Sequence, residues 1–154
     1  MDLSDSLVWL QVRPNDLDVQ GHVNNAVTLE YFEAGRWDWF ARNGLAPDGA
    51  VAPVVARAEV DYLAPIPYAR IEVATRLAAP QDPRAGEGRT YRTRFRQEIR
   101  IPGQARPAAR VLVTIAFVDR GLGGRPVSLR EFRECAGRRE APAVGAAAGP
   151  ARTR

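Results

Sequence analysis

The sequence predicts an α+β protein in which an antiparallel β-sheet wraps around one long α-helix. Its hydrophobic pattern indicates one strand, then a long helix, then four further strands. Short turn-rich segments join the later strands, which favours antiparallel pairing because parallel strands need long crossover connections. A helix segregated from a run of strands is typical of the α+β class rather than of an alternating α/β protein.

The first strand and the helix are the clearest elements. Leu7–Arg13 is rich in β-branched and aromatic residues, as strands are. Pro14–Gly21 is rich in Pro, Asn, Asp and Gly, which predicts a turn or a functional loop. From Asn25 to Asn43 no proline occurs, and apolar residues cover most of the helical circumference, so we expect a largely buried helix. Asn43-Gly44, followed by Pro47, marks its end.

Four more strands are predicted after the helix. The third of them alternates arginine and glutamate with tyrosine, phenylalanine and isoleucine, which is typical of a half-exposed strand. A loop is predicted over Ala78–Gly88, where Pro80, Pro83 and Gly86 occur. The four predicted strands are Val51–Tyr62, Ala69–Leu77, Thr90–Ile101 and Ala108–Val118.

The end of the sequence differs from the rest in composition. Pro126–Cys135 predicts a short helix, and from Ala136 onward Ala, Gly, Pro and Arg predominate. Such a composition cannot bury enough apolar surface to fold, so a disordered tail is predicted. We therefore expect one domain over residues 1–135 and a tail over residues 136–154.

The composition limits the class of protein. Hydrophobic residues make up 45% of the 154 residues and charged residues 26%, as in ordinary globular domains. No apolar run is long enough to cross a bilayer, and the N-terminus lacks the features of a secretory signal. The single cysteine, Cys135, cannot form an internal disulfide, which predicts a cytoplasmic protein.

The net charge of +4 comes from 22 arginines, with no lysine in the chain. A basic protein can bind nucleic acid, an anionic membrane or a phosphate-bearing small molecule. The arginines are scattered through strand-like segments rather than grouped in one run, so neither nucleic acid nor a membrane is expected as a partner.

The chemistry is concentrated in Asp16–Arg36, which reads DLDVQGHVNNAVTLEYFEAGR. The start of a helix presents unpaired N–H groups and a partial positive charge. A carboxylate just before it, such as Asp18, stays ionised and can hold a water or approach a carbonyl carbon. The alternative is that Asp18 only caps the loop or the helix. For Asp16 we expect a structural role, in a pair with Arg13 or with the local backbone.

Residues 13–36 resemble the signature of hotdog-fold thioesterases of the 4-hydroxybenzoyl-CoA thioesterase superfamily; they read RPNDLDVQGHVNNAVTLEYFEAGR. Residues 60–77, which read VDYLAPIPYARIEVATRL, are similar to the two strands that follow the helix in that family. The segments ARVLVTIAFVD and GRPVSL resemble its last strand and exit. The resemblance covers most of residues 7–133 and implies a hotdog fold.

The resemblance also implies roles for individual residues. Asp18 corresponds to the catalytic aspartate, which acts as nucleophile or general base, and the backbone N–H of Asn25 corresponds to the amide that polarises the thioester carbonyl. His22 matches the histidine of the D-x-N-x-H string of plant acyl-ACP thioesterases, but Gln20 replaces the asparagine. His22 is therefore predicted either as a catalytic residue or as a structural hydrogen-bonding residue. Substrate contacts are expected from Gly21, Val23 and Asn24.

A helix glutamate is the catalytic acid in some hotdog thioesterases, which makes Glu30 and Glu33 alternatives to Asp18. The simpler expectation is that Glu33 pairs with Arg36 at helical spacing. Cys135 has no histidine near it in sequence, so it is not expected to be a nucleophile.

The function implied by the resemblance is hydrolysis of an acyl-CoA or acyl-carrier-protein thioester to an acid and a thiol, with no metal and no cofactor. It further implies a homodimer or homotetramer, which an uncovered sheet face also favours. Two alternatives stay open. A hotdog hydratase or dehydratase acts on similar thioesters, although its motif has proline near the histidine where this chain has Gly21. A non-catalytic acyl-binding module is the other.

Overall fold

A computed structural model describes residues 3–45, 50–78, 91–121 and 123–137. The chain runs through a strand, a short 3-10 turn at Pro14–Asp16, a long helix, five strands and a second helix. The strands and helices are β1 (Ser6–Gln11), α1 (Asn25–Arg42), β2 (Val51–Tyr62), β3 (Arg70–Leu77), β4 (Arg92–Arg100), β5 (Ala109–Asp119), β6 (Arg125–Val127) and α2 (Leu129–Gly137).

The described strands form one antiparallel sheet in the order β1-β3-β4-β5-β2, with β6 paired to β5. The predicted antiparallel α+β architecture is therefore confirmed. The consecutive strands β3, β4 and β5 are neighbours in the sheet, as antiparallel pairing of sequential strands predicts. The two edges are β1 and the 12-residue β2.

Helix α1 packs against β1, β3 and β4 through one face. Its buried residues recur every three or four positions, as expected for a single helical face; they are Thr28, Tyr31, Phe32, Gly35, Trp39 and Phe40. On its other side Leu29 is 40% exposed and Trp37 is 43% exposed. The prediction of a largely buried helix is wrong for the single chain, because the sheet covers only one side of it.

Close packing of α1 on the sheet depends on Gly35. A Cβ atom at this position would lie 2.7 Å from Val73 Cγ1 and 2.8 Å from Thr75 Oγ1. Beside it, the buried Gln97 side chain donates from Nε2 to the Phe32 carbonyl (2.8 Å) and to Thr75 Oγ1 (2.9 Å). These contacts join the middle of the helix to β3 and β4.

The predicted pair between Glu33 and Arg36 is absent among the described residues. Arg36 Nη1 instead donates to Gln97 Oε1 at 3.0 Å, and Glu33 is exposed. Burial lowers the pKa of Arg36, while the negative charge of Glu33 acts in the opposite direction. The reason is geometric: Arg36 is turned towards the sheet, away from the solvent side of the helix.

The C-terminal part contains a strand that the sequence pattern did not reveal. The segment predicted as one helix from Pro126 to Cys135 is divided into β6 and α2. Three residues are too few to show an alternating pattern. Helix α2 returns to the core through Phe132, whose ring stacks on Phe117 with centroids 4.7 Å apart. It ends two residues beyond the predicted domain limit.

Some predicted segments lie outside the described residues. They are Pro47, most of the Ala78–Gly88 loop, Thr90, and the predicted tail from residue 138 onward. No helix in the described ranges is long and apolar enough to span a membrane.

Candidate active site

The loop between β1 and α1 is a small hairpin. Leu17 and Val23 form an antiparallel bridge, and the N–H of Asn24 donates to the Asp16 carbonyl at 2.9 Å. The N–H of Val23 donates to the Ile66 carbonyl at 2.8 Å, which ties the hairpin to the segment after β2. The hairpin tip carries residues 18–22, and its second arm runs directly into the helix.

Asp16 holds the base of this hairpin and is only 2% exposed. Its carboxylate accepts hydrogen bonds from Arg13 N–H and Nε and forms an ion pair with Arg13 Nη2 at 2.8 Å. Tyr31 Oη on α1 donates to Asp16 Oδ2 at 2.5 Å. The Arg13 hydrogen bonds outweigh burial and lower the pKa of Asp16 to about 2, while burial and the carboxylate raise the pKa of Tyr31. The predicted pairing of Asp16 with Arg13 is confirmed.

The partner that the sequence did not reveal is Tyr31. It lies 15 residues from Asp16 and reaches it only because the helix folds back over the loop. The loop and helix are thereby clamped together at a buried carboxylate. Asp16 is accordingly a structural residue, and the exposed carboxylate of the pair DLD is Asp18.

Replacing Asp16 with alanine is expected to lower the free energy of unfolding by roughly 2–3 kcal/mol, because the Tyr31 hydroxyl is left buried without its acceptor. The wild type should also lose stability in acid. The pKa of Asp16 is about 2 in the folded state and 3.8 ordinarily, so its contribution is complete above about pH 4 and is lost as the pH falls through 2.

Chemical denaturation at pH 7 and at several pH values below 4 tests this expectation. The variant Asp16→Asn keeps the side-chain shape but cannot titrate. Its free energy of unfolding should therefore fall less steeply below pH 4 than that of the wild type. The same dependence of unfolding free energy on pH in the two proteins would contradict the proposed clamp.

Asp18 lies exposed at the hairpin tip. Its Oδ1 accepts hydrogen bonds from the backbone N–H of Gln20 (2.8 Å) and of His22 (3.2 Å). The other oxygen, Oδ2, accepts none from the described residues. Gly21 completes the turn with φ +77°, in the left-handed region that favours glycine. The carboxylate thus shapes its own loop with one oxygen and presents the other outward.

His22 is half-buried, and only its backbone contacts Asp18. Its carbonyl accepts from the N–H of Asp18 at 2.7 Å. The imidazole makes no hydrogen bond with any residue in the described ranges, so the structure does not join it to the Asp18 carboxylate. The two predicted site residues are joined through the backbone of His22, which bonds both the Asp18 carboxylate and the Asp18 N–H, and not through the imidazole.

The helix begins at the foot of the hairpin. Asn24 is the N-cap, and its side-chain Oδ1 accepts from the N–H of Ala26 at 2.8 Å. Asn25 is the first helical residue, so its N–H has no acceptor one turn earlier, and no described residue accepts from it. Its carbonyl accepts from Tyr62 Oη, at the end of β2, at 3.1 Å. Val23, in contrast, is buried in the core.

The alternative acids on the helix make no ion pair within the described ranges. Glu30 and Glu33 are both exposed on α1. The described part of the chain contains no group of three or more His, Cys, Asp or Glu side chains placed to hold a metal ion. Cys135 is exposed on α2, away from the hairpin in sequence.

The arrangement has two features that acyl transfer requires. A carboxylate with an available oxygen lies at the tip of a short hairpin, and an unpaired backbone donor lies at its base on the positive end of a helix. The first can activate water or attack a carbonyl carbon, and the second can stabilise the negative charge that then develops on the carbonyl oxygen.

Comparison with known proteins identifies the family. The sequence model of the Thioesterase-like superfamily matches residues 12–138. A thioesterase from Thermus thermophilus, complexed with coenzyme A and Zn, is 35% identical over 84% of this chain and 95% of that chain, with a TM-score of 0.64. None of the curated proteins compared matches the chain.

Two further solved structures are similar. A probable thioesterase from Escherichia coli is 25% identical over 83% of this chain and 93% of that chain, with a TM-score of 0.64. A 1,4-dihydroxy-2-naphthoyl-CoA thioesterase from Synechocystis is 18% identical over 86% of this chain and 95% of that chain, with a TM-score of 0.67, which shows a common fold. The chain therefore belongs to the thioesterase-like superfamily and has the hotdog fold that its motif predicts.

Proposed function

We propose that the protein hydrolyses an acyl-CoA or acyl-carrier-protein thioester to a carboxylic acid and a free thiol. The observation that carries this proposal is the Asp18 carboxylate, exposed with Oδ2 available, at the tip of the hairpin that ends in the Asn25 N–H. Membership of the superfamily supports thioester hydrolysis in general. Coenzyme A in the 35% identical Thermus protein supports CoA as one thiol carrier.

The proposed reaction uses the two ends of the hairpin. The Asn25 N–H donates to the thioester oxygen, so that negative charge develops next to a fixed dipole. Asp18 takes a proton from water as the water oxygen attacks the carbonyl carbon. The C–S bond then breaks, the thiolate takes the proton, and acid and thiol leave. Direct attack by Asp18, followed by hydrolysis of the anhydride, gives the same products.

The other predicted site residues have supporting roles in this proposal. Gly21 allows the tight turn and leaves its surroundings open, since no atom lies within 4 Å of a Cβ built there. Asn24 caps the helix and so fixes the direction of the Asn25 N–H. Val23 anchors the hairpin arm in the core. The half-buried imidazole of His22 is placed beside the turn, where it can orient substrate or assist the proton transfer.

Thiol release from a panel of acyl-CoA and acyl-carrier-protein thioesters tests this function. The panel should include aromatic and straight-chain acyl groups and an enoyl-CoA. Release of thiol from at least one substrate supports the proposal. Hydration of the enoyl-CoA without thiol release would instead identify a hydratase, and binding without either reaction would identify a non-catalytic acyl-binding module.

We also propose that the active form is a homodimer, or a homotetramer built from two dimers, and that it works in the cytoplasm. The dimer is supported by apolar side chains left uncovered on α1 and on the edge strand β2. Leu29 and Trp37 lie on the open side of α1, and Val55 (54% exposed) and Tyr62 lie on the edge strand β2. A long apolar edge strand is expected to pair in solution, because its backbone groups and side chains are otherwise exposed.

Val55→Lys is expected to convert the dimer to a monomer, because a charge on this edge opposes strand pairing. Sedimentation velocity measures the effect. Leu7→Lys on β1, the opposite edge, is the matched control and should remain dimeric. A monomeric wild type, or equal dissociation of both variants, would contradict assembly through β2.

A further inference from the structure

The outer face of the sheet, which points away from α1, carries an excess of arginine. Thr75, Phe95 and Gln97 are buried towards the helix, so their sequence neighbours on β3 and β4 point outward. By the same alternation, eight arginines and four acidic residues of the described strands lie on this face; they are Arg57, Arg70, Arg76, Arg92, Arg94, Arg96, Arg100 and Arg110, with Glu59, Asp61, Glu72 and Glu98.

Four of these arginines have no partner among the described residues. We call Arg76, Arg92, Arg94 and Arg96 the arginine patch. By contrast, Arg57 pairs with Glu59, and both Arg100 and Arg110 pair with Glu98, while Arg70 lies over the Trp9 ring. The patch is therefore not neutralised in the way that the rest of the face is.

The patch also opposes pairing of its own strands. Arg76 on β3 stands directly across from Arg96 on β4. Like charges at directly opposite positions destabilise a sheet. Exceptions to such local rules are expected at functional or strained sites, and a bound anion would remove this repulsion. The arrangement therefore calls for an anionic partner.

The patch adjoins a depression that extends to the last residues of β2. The depression has a volume of about 710 Å³, and Arg76, Arg96 and Leu112 are among the residues that line it. Asp61, at its rim, immediately precedes Tyr62, whose hydroxyl contacts the first residue of α1. A partner seated on this face lies across the sheet from α1, and the end of β2 links the depression to the start of the helix.

The geometry favours an acidic protein over other anions. A second copy of this chain is disfavoured where the two-fold axis passes through the patch, because that contact would bring the patch against itself. The carboxylates Glu59, Asp61 and Glu98 beside the patch would repel the uniform charge of nucleic acid. A small phosphate would contact at most Arg76 and Arg96, which face each other, whereas Arg92 lies about 13 Å from Arg96 along β4 and would be left without a partner. A mixed but mainly acidic protein surface matches this pattern.

We propose that the arginine patch docks an acidic acyl carrier protein that delivers the thioester substrate. The identity of this partner rests on the proposed thioesterase function, but the docking itself requires no reaction. The carrier would contact the patch through its acidic residues, and its thioester-bearing arm would pass along the depression towards the end of β2.

The test measures binding of an unloaded acyl carrier protein, which carries no thioester, by fluorescence anisotropy at low ionic strength. Arg76→Glu combined with Arg96→Glu should raise Kd by at least about 10-fold, and added salt should weaken the wild-type complex. Arg42→Glu combined with Arg130→Glu is the control. It makes the same change in net charge on exposed residues of α1 and α2, on the other side of the sheet, and should leave Kd within about 2-fold.

The variant Arg76→Glu alone separates docking from folding. It places a carboxylate opposite Arg96, so the melting temperature should be unchanged or rise by roughly 1–3 °C while carrier binding weakens. Loss of binding together with a clear fall in melting temperature would mean that the arginines are structural, and would overturn the proposal.

Other outcomes also decide the question. No carrier binding at low ionic strength, equal loss in the control variant, or patch-dependent binding of transfer RNA in place of the carrier would each overturn it. Patch-dependent binding without thiol release from any substrate would refute the proposed function and leave the docking surface standing. Hydrolysis of acyl-CoA without carrier binding would support the proposed function and refute the docking surface.

Discussion

The variant Asp18→Asn is expected to lower kcat for thioester hydrolysis by roughly 10²–10⁴-fold, the usual contribution of a general base or of an activated carboxylate. The amide retains an oxygen that can accept from the N–H groups of Gln20 and His22, so the hairpin should keep its shape. What it loses is the negative charge and the ability to take a proton. Steady-state thiol release with the best substrate of the panel measures the effect.

The control for this variant is Asp5→Asn, which makes the same chemical change at an exposed position before β1. Its kcat should equal that of the wild type. Near-wild-type turnover by Asp18→Asn would contradict the assignment and would direct attention to Glu30 and Glu33 on the helix. A lowered melting temperature in Asp18→Asn alone would show that the aspartate mainly holds the loop.

Asn25→Pro is expected to lower kcat by roughly 10²–10³-fold, the usual cost of losing one donor to a developing oxyanion. Proline removes the backbone N–H without breaking a helical hydrogen bond, because this first helical position has no intrahelical acceptor and suits the fixed φ of proline. The preceding residue, Asn24, has ψ 142°, which is compatible with a following proline. Helix content and melting temperature should therefore stay close to those of the wild type.

Asn25→Ala is the matched control, because it removes the side chain and retains the N–H. Its kcat should remain within about 3-fold of the wild type, since only a transition-state donor carries the larger effect. Near-wild-type activity of both variants would contradict a role for the backbone donor. A loss in the alanine variant as large as that in the proline variant would instead assign the role to the side chain.

The sequence pattern was sufficient for most elements because the signals that specify them are local. Alternation and turn residues predicted β2 with the limits that the structure has, and predicted α1 to within a residue of its end. The three-residue β6 was missed, because its existence depends on pairing with Phe117–Asp119 rather than on its own pattern. The exposure of Trp37 was missed for a similar reason, since periodicity does not say how much of a helix the sheet will cover.

In the candidate site, too, the sequence predicted local features and missed those that depend on tertiary contacts. The motif alone distinguished Asp18 from Asp16 and placed Asn25 at the start of the helix. It did not reveal Tyr31 as the partner of Asp16 or Tyr62 as the partner of the Asn25 carbonyl. Nor did it reveal that the His22 imidazole bonds no residue in the described part of the chain. Each of these depends on which segments meet in space, and the motif contains no information about segments outside it.

By itself, the sequence predicted the kinds and order of the elements apart from β6, and its motif indicated the family and Asp18, Asn25 and His22 as candidate site residues. The elements follow from spacings of a few residues along the chain, where backbone geometry decides the pattern. The family and the candidate site residues follow from the resemblance of one contiguous motif. Only the tertiary structure decided that Gln97 meets the helix 65 residues away, that Arg76 faces Arg96, and that Asp16 is buried while Asp18 is exposed. Those facts come from sheet register and helix docking, which are set by the packing of the whole core and not by any local pattern.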